Sequence, residues 1–160
     1  MKLTTKIKII AVGRIKQAFL REGVKEYLQR LAYSAHVEIE EVKPPVHSDK
    51  WPPAEVCRRE GAALLAGITR GEYVIALDPA GKLQTTEEWA AFFRNASVTG
   101  RQKITFVIGG EWGLGENVLK RADAVWSLSP LTFTHDMTRL IVLEQLYRVV
   151  TILQGLPYHK

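Results

Sequence analysis

Apolar residues in this chain fall into short continuous runs and longer spaced sets, and the two kinds alternate from one end to the other. Lys6 to Val12, "KIKIIAV", is rich in β-branched residues and stops at Gly13, which predicts a strand and a turn. From Ile15 to Ala32 the positions Leu20, Val24, Tyr27, Leu28 and Leu31 recur at helical spacing, so an amphipathic helix follows. "HVEIEEV", His36 to Val42, alternates and predicts a strand with one polar face. "KPPVHSDKWPP", Lys43 to Pro53, is broken by prolines and reads as a loop. Ala54 to Ile68 places Val56, Cys57, Leu64, Leu65 and Ile68 on one side of a second helix, and Gly71 separates it from a strand at Tyr73 to Leu77.

The second half continues the alternation. Thr85 or Thr86 caps a helix whose first turn holds Glu87 and Glu88, where the helix dipole favours negative charge. "KITFVIGG" is a nearly unbroken apolar strand of the kind covered on both faces at the centre of a parallel sheet. A short helix at Glu116 to Arg121 and a short strand at Ala124 to Leu128 come next. The last element is a long helix, Asp136 to Gln154, capped by Asp136 and stopped by Gly155 and Pro157. Strands alternating with helices predict an α/β layered fold with a mostly parallel sheet, formed by a single domain over residues 1–160.

Composition narrows this reading without redirecting it. The chain of 160 residues is 46% hydrophobic and 24% charged, the balance of a globular protein. No apolar run approaches the roughly 18 residues that cross a bilayer, so no membrane partner is expected. Lys2, Lys6 and Lys8 ahead of a short apolar run mimic a signal peptide, but the run is too short and no cleavage site follows. Cys57 is the only cysteine, which excludes an internal disulfide and points to a reducing cytoplasm. A net charge of +5 favours polyanions such as RNA or DNA. His36, His47, His135 and His159 share no metal-ligand spacing, so no metal site is expected.

In open parallel sheets, ligands sit beyond the carboxyl ends of strands. Three such ends stand out: Leu77-Asp78-Pro79-Ala80-Gly81, the run Gly109 to Gly115, and Leu128-Ser129-Pro130-Leu131-Thr132-Phe133. The middle one lacks both the dinucleotide and the P-loop spacing, and a plain turn is the competing reading. Its Gly109 is expected to leave space at the backbone for a ligand. The third pairs small polar side chains with Leu128, Leu131 and Phe133, a set that suits the faces and edges of adenine; a plain connecting loop is the alternative. Trp112 either stacks on a base or packs.

The last helix is apolar nearly all round, which predicts burial on the sheet and against a second subunit in a homodimer. Glu144 and Arg148 are spaced to pair along it. Arg139 has Asp136 within reach, and if capping occupies that carboxylate, Arg139 is left to project towards an anionic ligand. A bond from Arg139 to Asp136 or to backbone carbonyls is the other reading.

The segments "IIAVGRIK", "VIALDPAGK", "FVIGGEWGL", "LSPLTFTHDMTRLIVLEQLYR" and "GLPYHK", in this order, resemble the SPOUT class of S-adenosylmethionine-dependent methyltransferases. Within that class the chain is most similar to the ribosomal RNA large subunit methyltransferase H family, which methylates N3 of a pseudouridine in 23S rRNA. Met1 to Thr5 stand ahead of the usual start, and Val149 replaces a frequent alanine. The resemblance implies a C-terminal trefoil knot and a homodimer acting on assembled ribosomes. It implies S-adenosylmethionine held by Leu77, Gly109, Leu128, Ser129, Pro130, Leu131, Thr132 and Phe133. It further implies that His159 and Lys160 of one subunit reach the cofactor site of the other. His135, Arg139 and His159 are then the candidates for proton handling and charge stabilisation, with Lys160 on the RNA.

Overall fold

A computed structural model describes residues 2–46 and 49–159, the last of them by its backbone alone. The chain folds as β1 (Lys6–Val12), α1 (Ala18–Leu31), β2 (His36–Val42), α2 (Pro53–Ala66), β3 (Tyr73–Leu83), α3 (Thr86–Val98), β4 (Lys103–Ile108), α4 (Glu116–Arg121), β5 (Ala124–Ser127) and α5 (His135–Leu153), then a 3-10 turn at Pro157–His159. The strands form one sheet in the order β2-β1-β4-β3-β5, and every pairing in it is parallel. All strand carboxyl ends therefore share one edge.

The hydrophobic pattern explains the layering. Side chains alternate across a strand, so Ile7, Ile9 and Ala11 of β1 face one side with Ile104 and Phe106 of β4, where α1, α3 and α5 cover them. Ile10, Val12, Val74, Ala76 and Val107 face the other side, under Leu64 of α2 and Val118 of α4. The first layer holds an aromatic cluster: Trp89 stacks on Phe106 with ring centroids 5.2 Å apart, and Trp126 lies 5.2 Å from Trp89. Truncating such a ring costs about 3–5 kcal/mol. β2, at the edge, keeps its alternation of half-buried and exposed residues.

One strand reading shifts. β3 runs on past Leu77 to Leu83, because the chain bulges: Leu77 and Lys82 both register with Trp126 of β5. Gly81 makes that approach possible, since a Cβ there would lie 2.7–2.8 Å from the backbone of Val125 and Trp126. Lys8, in the amino half of β1, is buried. Its ammonium reaches Gly67 O at 2.5 Å, Glu40 Oε2 at 3.2 Å and Glu72 Oε1 at 3.3 Å. Three acceptors make burial of that charge tolerable.

The long helix begins one residue earlier than its pattern predicts. Thr134, not Asp136, is the N-cap: its hydroxyl accepts from Met137 N at 3.2 Å, and Asp136 falls in the first turn. α1 and α3 flank α5 within the same chain, so part of its all-round apolarity is used internally. The Glu144–Arg148 pair forms along it, at 2.5 Å.

Candidate active site

A cleft of about 340 Å³ opens at the carboxyl edge of the sheet. Its walls are the three strand ends singled out in the sequence: Leu77 to Pro79 after β3, Ile108 to Leu114 after β4, and Ser127 to Phe133 after β5. His135 and Thr138 close it from the first turn of α5. Leu77, Gly109, Leu128, Ser129, Leu131, Thr132 and Phe133 all line the cleft; Pro130 does not.

Local bonds fix each wall. Asp78 Oδ1 accepts from Ala80 N at 2.8 Å and shapes the bulge. Ser129 turns its own loop: its hydroxyl accepts from Leu131 N at 2.9 Å, and its carbonyl accepts from Ser127 Oγ at 3.1 Å. Leu131, 71% exposed, and Trp112, 56% exposed, stand at the rim. The glycine turn closes through Gly113 N to Gly110 O at 3.1 Å, with Gly113 at φ +85°. Gly109 serves that turn. A Cβ on it would lie 2.6 Å from the carbonyl of Gly113, so the space beside its backbone holds protein and is not open to a ligand as the sequence suggested.

The chemistry of the lining is selective. It carries the carboxyl groups of Asp78 and Glu111 and the imidazole of His135, but no lysine or arginine. A phosphate-rich cofactor would meet two carboxylates and no cation there, whereas a cationic small molecule is favoured. The N–H groups of Ser129, Thr132 and Phe133 donate to no acceptor among the described residues, which leaves donors for a heterocycle. Among the described residues no group of three or more His, Cys, Asp or Glu side chains is arranged to hold a metal ion.

Arg139 stands apart from the cleft. Fully buried, it donates to Val12 O and Gly13 O at 2.8 Å each and to Glu41 Oε2 at 3.1 Å. Burial pulls its guanidinium pKa down, against the charges of Asp136 and Glu41. Because Thr134 does the capping, the Asp136 carboxylate is available: Oδ1 lies 3.6 Å from Arg139 Nη2 and 3.4 Å from His135 Nε2. Projection of Arg139 towards a ligand is thereby excluded in this arrangement; the reading with Asp136 and backbone carbonyls is the one the chain adopts.

Tyr158 packs against other parts of its own chain. Its hydroxyl lies 3.1 Å from that of Tyr27, its ring meets Tyr147 edge-on at 4.6 Å, and Arg148 lies over its face. The bond with Tyr27, helped by burial and the charge of Glu144, pushes its phenol up to about 12. The side chain of His159 and all of Lys160 lie outside the described residues.

A family model described as "Predicted SPOUT methyltransferase" matches residues 5–159. The chain belongs to the SPOUT methyltransferases. Curated relatives align over nearly their whole length. The "Ribosomal RNA large subunit methyltransferase H" of Carboxydothermus hydrogenoformans is 45% identical over 157 residues, 96% of this chain and 99% of the relative. The proteins of the same name from Listeria monocytogenes and Alkaliphilus oremlandii are 44% and 43% identical, each covering 96% of this chain and 99% of the relative. These identities place the chain in that family. A solved structure titled "Crystal Structure of Probable Methyltransferase from Bordetella pertussis Tohama I" superposes with a TM-score of 0.56 over 92% of this chain and 98% of its own, at 14% identity, which speaks to the fold alone.

For this SPOUT methyltransferase, sequence reasoning missed Asp78, Glu111 and Thr138 as lining residues. Asp78 and Glu111 lie inside segments already marked by their strand ends. Thr138 had a signal too: it stands one turn from Thr134 on the helix that presents His135.

Proposed function

We propose that this methyltransferase uses S-adenosylmethionine to methylate N3 of a pseudouridine in 23S rRNA of the large ribosomal subunit, acting as a cytoplasmic homodimer on assembled ribosomes. The observation that carries the donor is the cleft: apolar faces at Leu128, Leu131 and Phe133, open backbone donors, and carboxyl groups without a cation. The rRNA substrate is supported by the names of relatives at 43–45% identity. Bound S-adenosylmethionine supplies a sulfonium methyl already activated for displacement, so the protein's task is alignment and proton removal.

The chain's residues divide that task. Leu128, Leu131 and Phe133 take the adenine faces, and the amides of Ser129, Thr132 and Phe133 take its edge. Asp78 and Glu111 complement positive charge. His135 Nε2 lies 3.4 Å from Asp136 Oδ1; a proton carried on that nitrogen leaves Nδ1 as the acceptor for the proton leaving N3. Arg139 acts by holding Asp136 and the end of β1. In the dimer, His159 and Lys160 of the neighbouring copy steady the RNA and the charge growing on the ring carbonyls. The half-buried apolar residues of α5, Ile141 and Ile152 among them, support the second subunit. A threaded, knotted C-terminal half is carried by the likeness to the SPOUT family.

Labelled-methyl transfer to 70S ribosomes, free 50S subunits and tRNA, followed by mapping of the modified nucleotide, tests the reading. Methylation of 70S particles at N3 of a pseudouridine is expected. Transfer to tRNA alone overturns the substrate, and no transfer despite cofactor binding makes the protein an assembly factor.

A further inference from the structure

The cleft contains no lysine or arginine, so an RNA brought to it must be gripped elsewhere. The sheet edge beside it offers the means. Gly13 N donates to Val42 O at 2.8 Å, which aligns the ends of β1 and β2, and Pro44 lies 3.5 Å from where a Gly13 Cβ would stand. Arg14 and Lys43 immediately follow that junction, and both are exposed. Two residues on, Lys16 is also exposed, and its amide donates to Asp136 Oδ2 at 3.3 Å, beside the cleft-lining His135. The three cations thus form a row from the end of β2, across the end of β1, to the flank of the cleft.

None of the three side chains makes a hydrogen bond or ion pair among the described residues. Glu41, the acidic neighbour on β2, is engaged by Arg139. Elsewhere many cations are already matched: Arg58 and Arg59 by Glu55, Arg30 by Glu26, Lys103 by Glu72. Arg139 also fixes the row, since it binds the carbonyls of Val12 and Gly13 and so ties the β1 end to α5.

We infer that Arg14, Lys16 and Lys43 form a phosphate-binding ridge that holds the substrate RNA backbone beside the target nucleotide. The inference rests on the rRNA reading above and assigns that reading its docking surface. Exposed unpaired cations bind a phosphodiester chain through counterion release, and such contacts set position without reading sequence. Division of labour follows: an acidic cleft for a cationic donor, a basic ridge for a polyanionic acceptor. Phe19, 66% exposed just beyond Lys16, adds an apolar surface for an unstacked base.

The test removes three charges from each edge of the sheet. One variant carries Arg14→Ala, Lys16→Ala and Lys43→Ala. The control carries Lys2→Ala, Lys6→Ala and Arg70→Ala, exposed cations at the opposite, amino edge. Methyl transfer to 50S and 70S particles is followed through a salt series, alongside anisotropy of a labelled 23S rRNA fragment and calorimetry with S-adenosylmethionine. The ridge variant is expected to raise KM at least tenfold and to lower the salt slope of RNA binding by about 2, with cofactor affinity and saturated kcat within twofold of the parent. The control is expected to match the parent. Equal KM and slope in the ridge variant overturn the inference, as does an equal loss in the control. If the parent methylates no ribosomal RNA, the functional reading falls; the anisotropy then decides the ridge alone, and unchanged RNA binding by the ridge variant overturns it.

Discussion

Each half of β1 is tied down by a buried cation, and the two are satisfied in different ways. At the amino half, Lys8 is enclosed by Gly67 O, Glu40 and Glu72, while Glu72 also takes Lys103 at 3.0 Å and Thr105 Oγ1 at 2.9 Å. That group closes on itself. At the carboxyl end, Arg139 spends its bonds on two carbonyls and Glu41, but its Nε and Asp136 Oδ1 have no hydrogen-bond partner among the described residues. The first group stabilises the sheet. The second joins β1, β2 and α5 around the residue that presents His135. Of these two groups, the one with polar atoms left over is the one beside the cleft; Ser97 Oγ and Arg101 Nη1, before β4 at the amino edge, are also without a hydrogen bond, so such atoms do not by themselves mark the site.

Arg139→Met should break this contrast most strongly. It leaves Val12 O, Gly13 O and the buried Asp136 without their cation, a loss of about 3–5 kcal/mol. Methyl transfer should fall at least 100-fold even at temperatures where the variant is folded. Arg139→Lys, which keeps charge but not the fork, should recover most of the stability and little of the activity. Urea denaturation and single-turnover kinetics on the two variants separate these outcomes. A fully active Arg139→Met protein would remove the carboxyl-end group from any part in the site.

Glu72→Ala should be nearly as costly to the fold, about 3 kcal/mol, because Lys8 keeps only Glu40 and Gly67 O. Activity per folded molecule should stay unchanged, since the group is at the far edge. Its pH dependence has a definite sign. Burial raises the Glu72 carboxyl, but the bonds from Lys103 and Thr105 and the charge of Lys8 outweigh it, and the net pKa lies below the ordinary 4.5. A carboxyl depressed on folding stabilises above its unfolded pKa, and that contribution is lost as pH falls through the folded value. The parent should therefore lose Tm below about pH 4.5, and Glu72→Gln should flatten that fall. Parallel acid titrations of the two proteins would sink the assignment.

Gly109→Ala comes next and touches only the carboxyl edge. Its Cβ would press on the Gly113 carbonyl at 2.6 Å and force the glycine turn aside. Affinity for S-adenosylmethionine should drop at least tenfold, with a stability loss of about 1–2 kcal/mol. Pro130→Ala, on the same edge but off the cleft, should bind as the parent does. Calorimetry on the pair shows whether the turn or merely the neighbourhood matters.

Much of this was legible from residues. Periodicity, unbroken apolar runs and capping residues together mark every strand and long helix in order, and the strand ends locate the cleft. The errors have physical causes. "DPAG" has turn composition and reads as the end of β3 at Leu77, and only pairing of β5 on both sides of the bulge keeps it in the sheet. The sequence does not decide between the two readings of Arg139, because its carbonyl partners lie 126 and 127 residues away. Spacing names neither the donor nor the RNA; the family likeness does.

The smallest effects concern the helix caps, and they sharpen the same comparison. Thr85 begins α3 with a reciprocal box: its hydroxyl accepts from Glu88 N at 3.1 Å, and Glu88 Oε2 accepts from Thr85 N at 2.7 Å. Thr134 begins α5 with one bond only, because Met137 stands where a carboxylate would return it. Either Thr→Ala change should cost about 1 kcal/mol. The consequences for chemistry should differ. Loss of the Thr134 cap loosens the turn that carries His135 and Asp136, and should lower kcat about threefold with cofactor affinity nearly intact. Thr85→Ala, equal in stability, should leave kcat alone. Equal kcat in both variants would mean that the first turn of α5 is held by Arg139 and the sheet end, and that its cap serves the helix only.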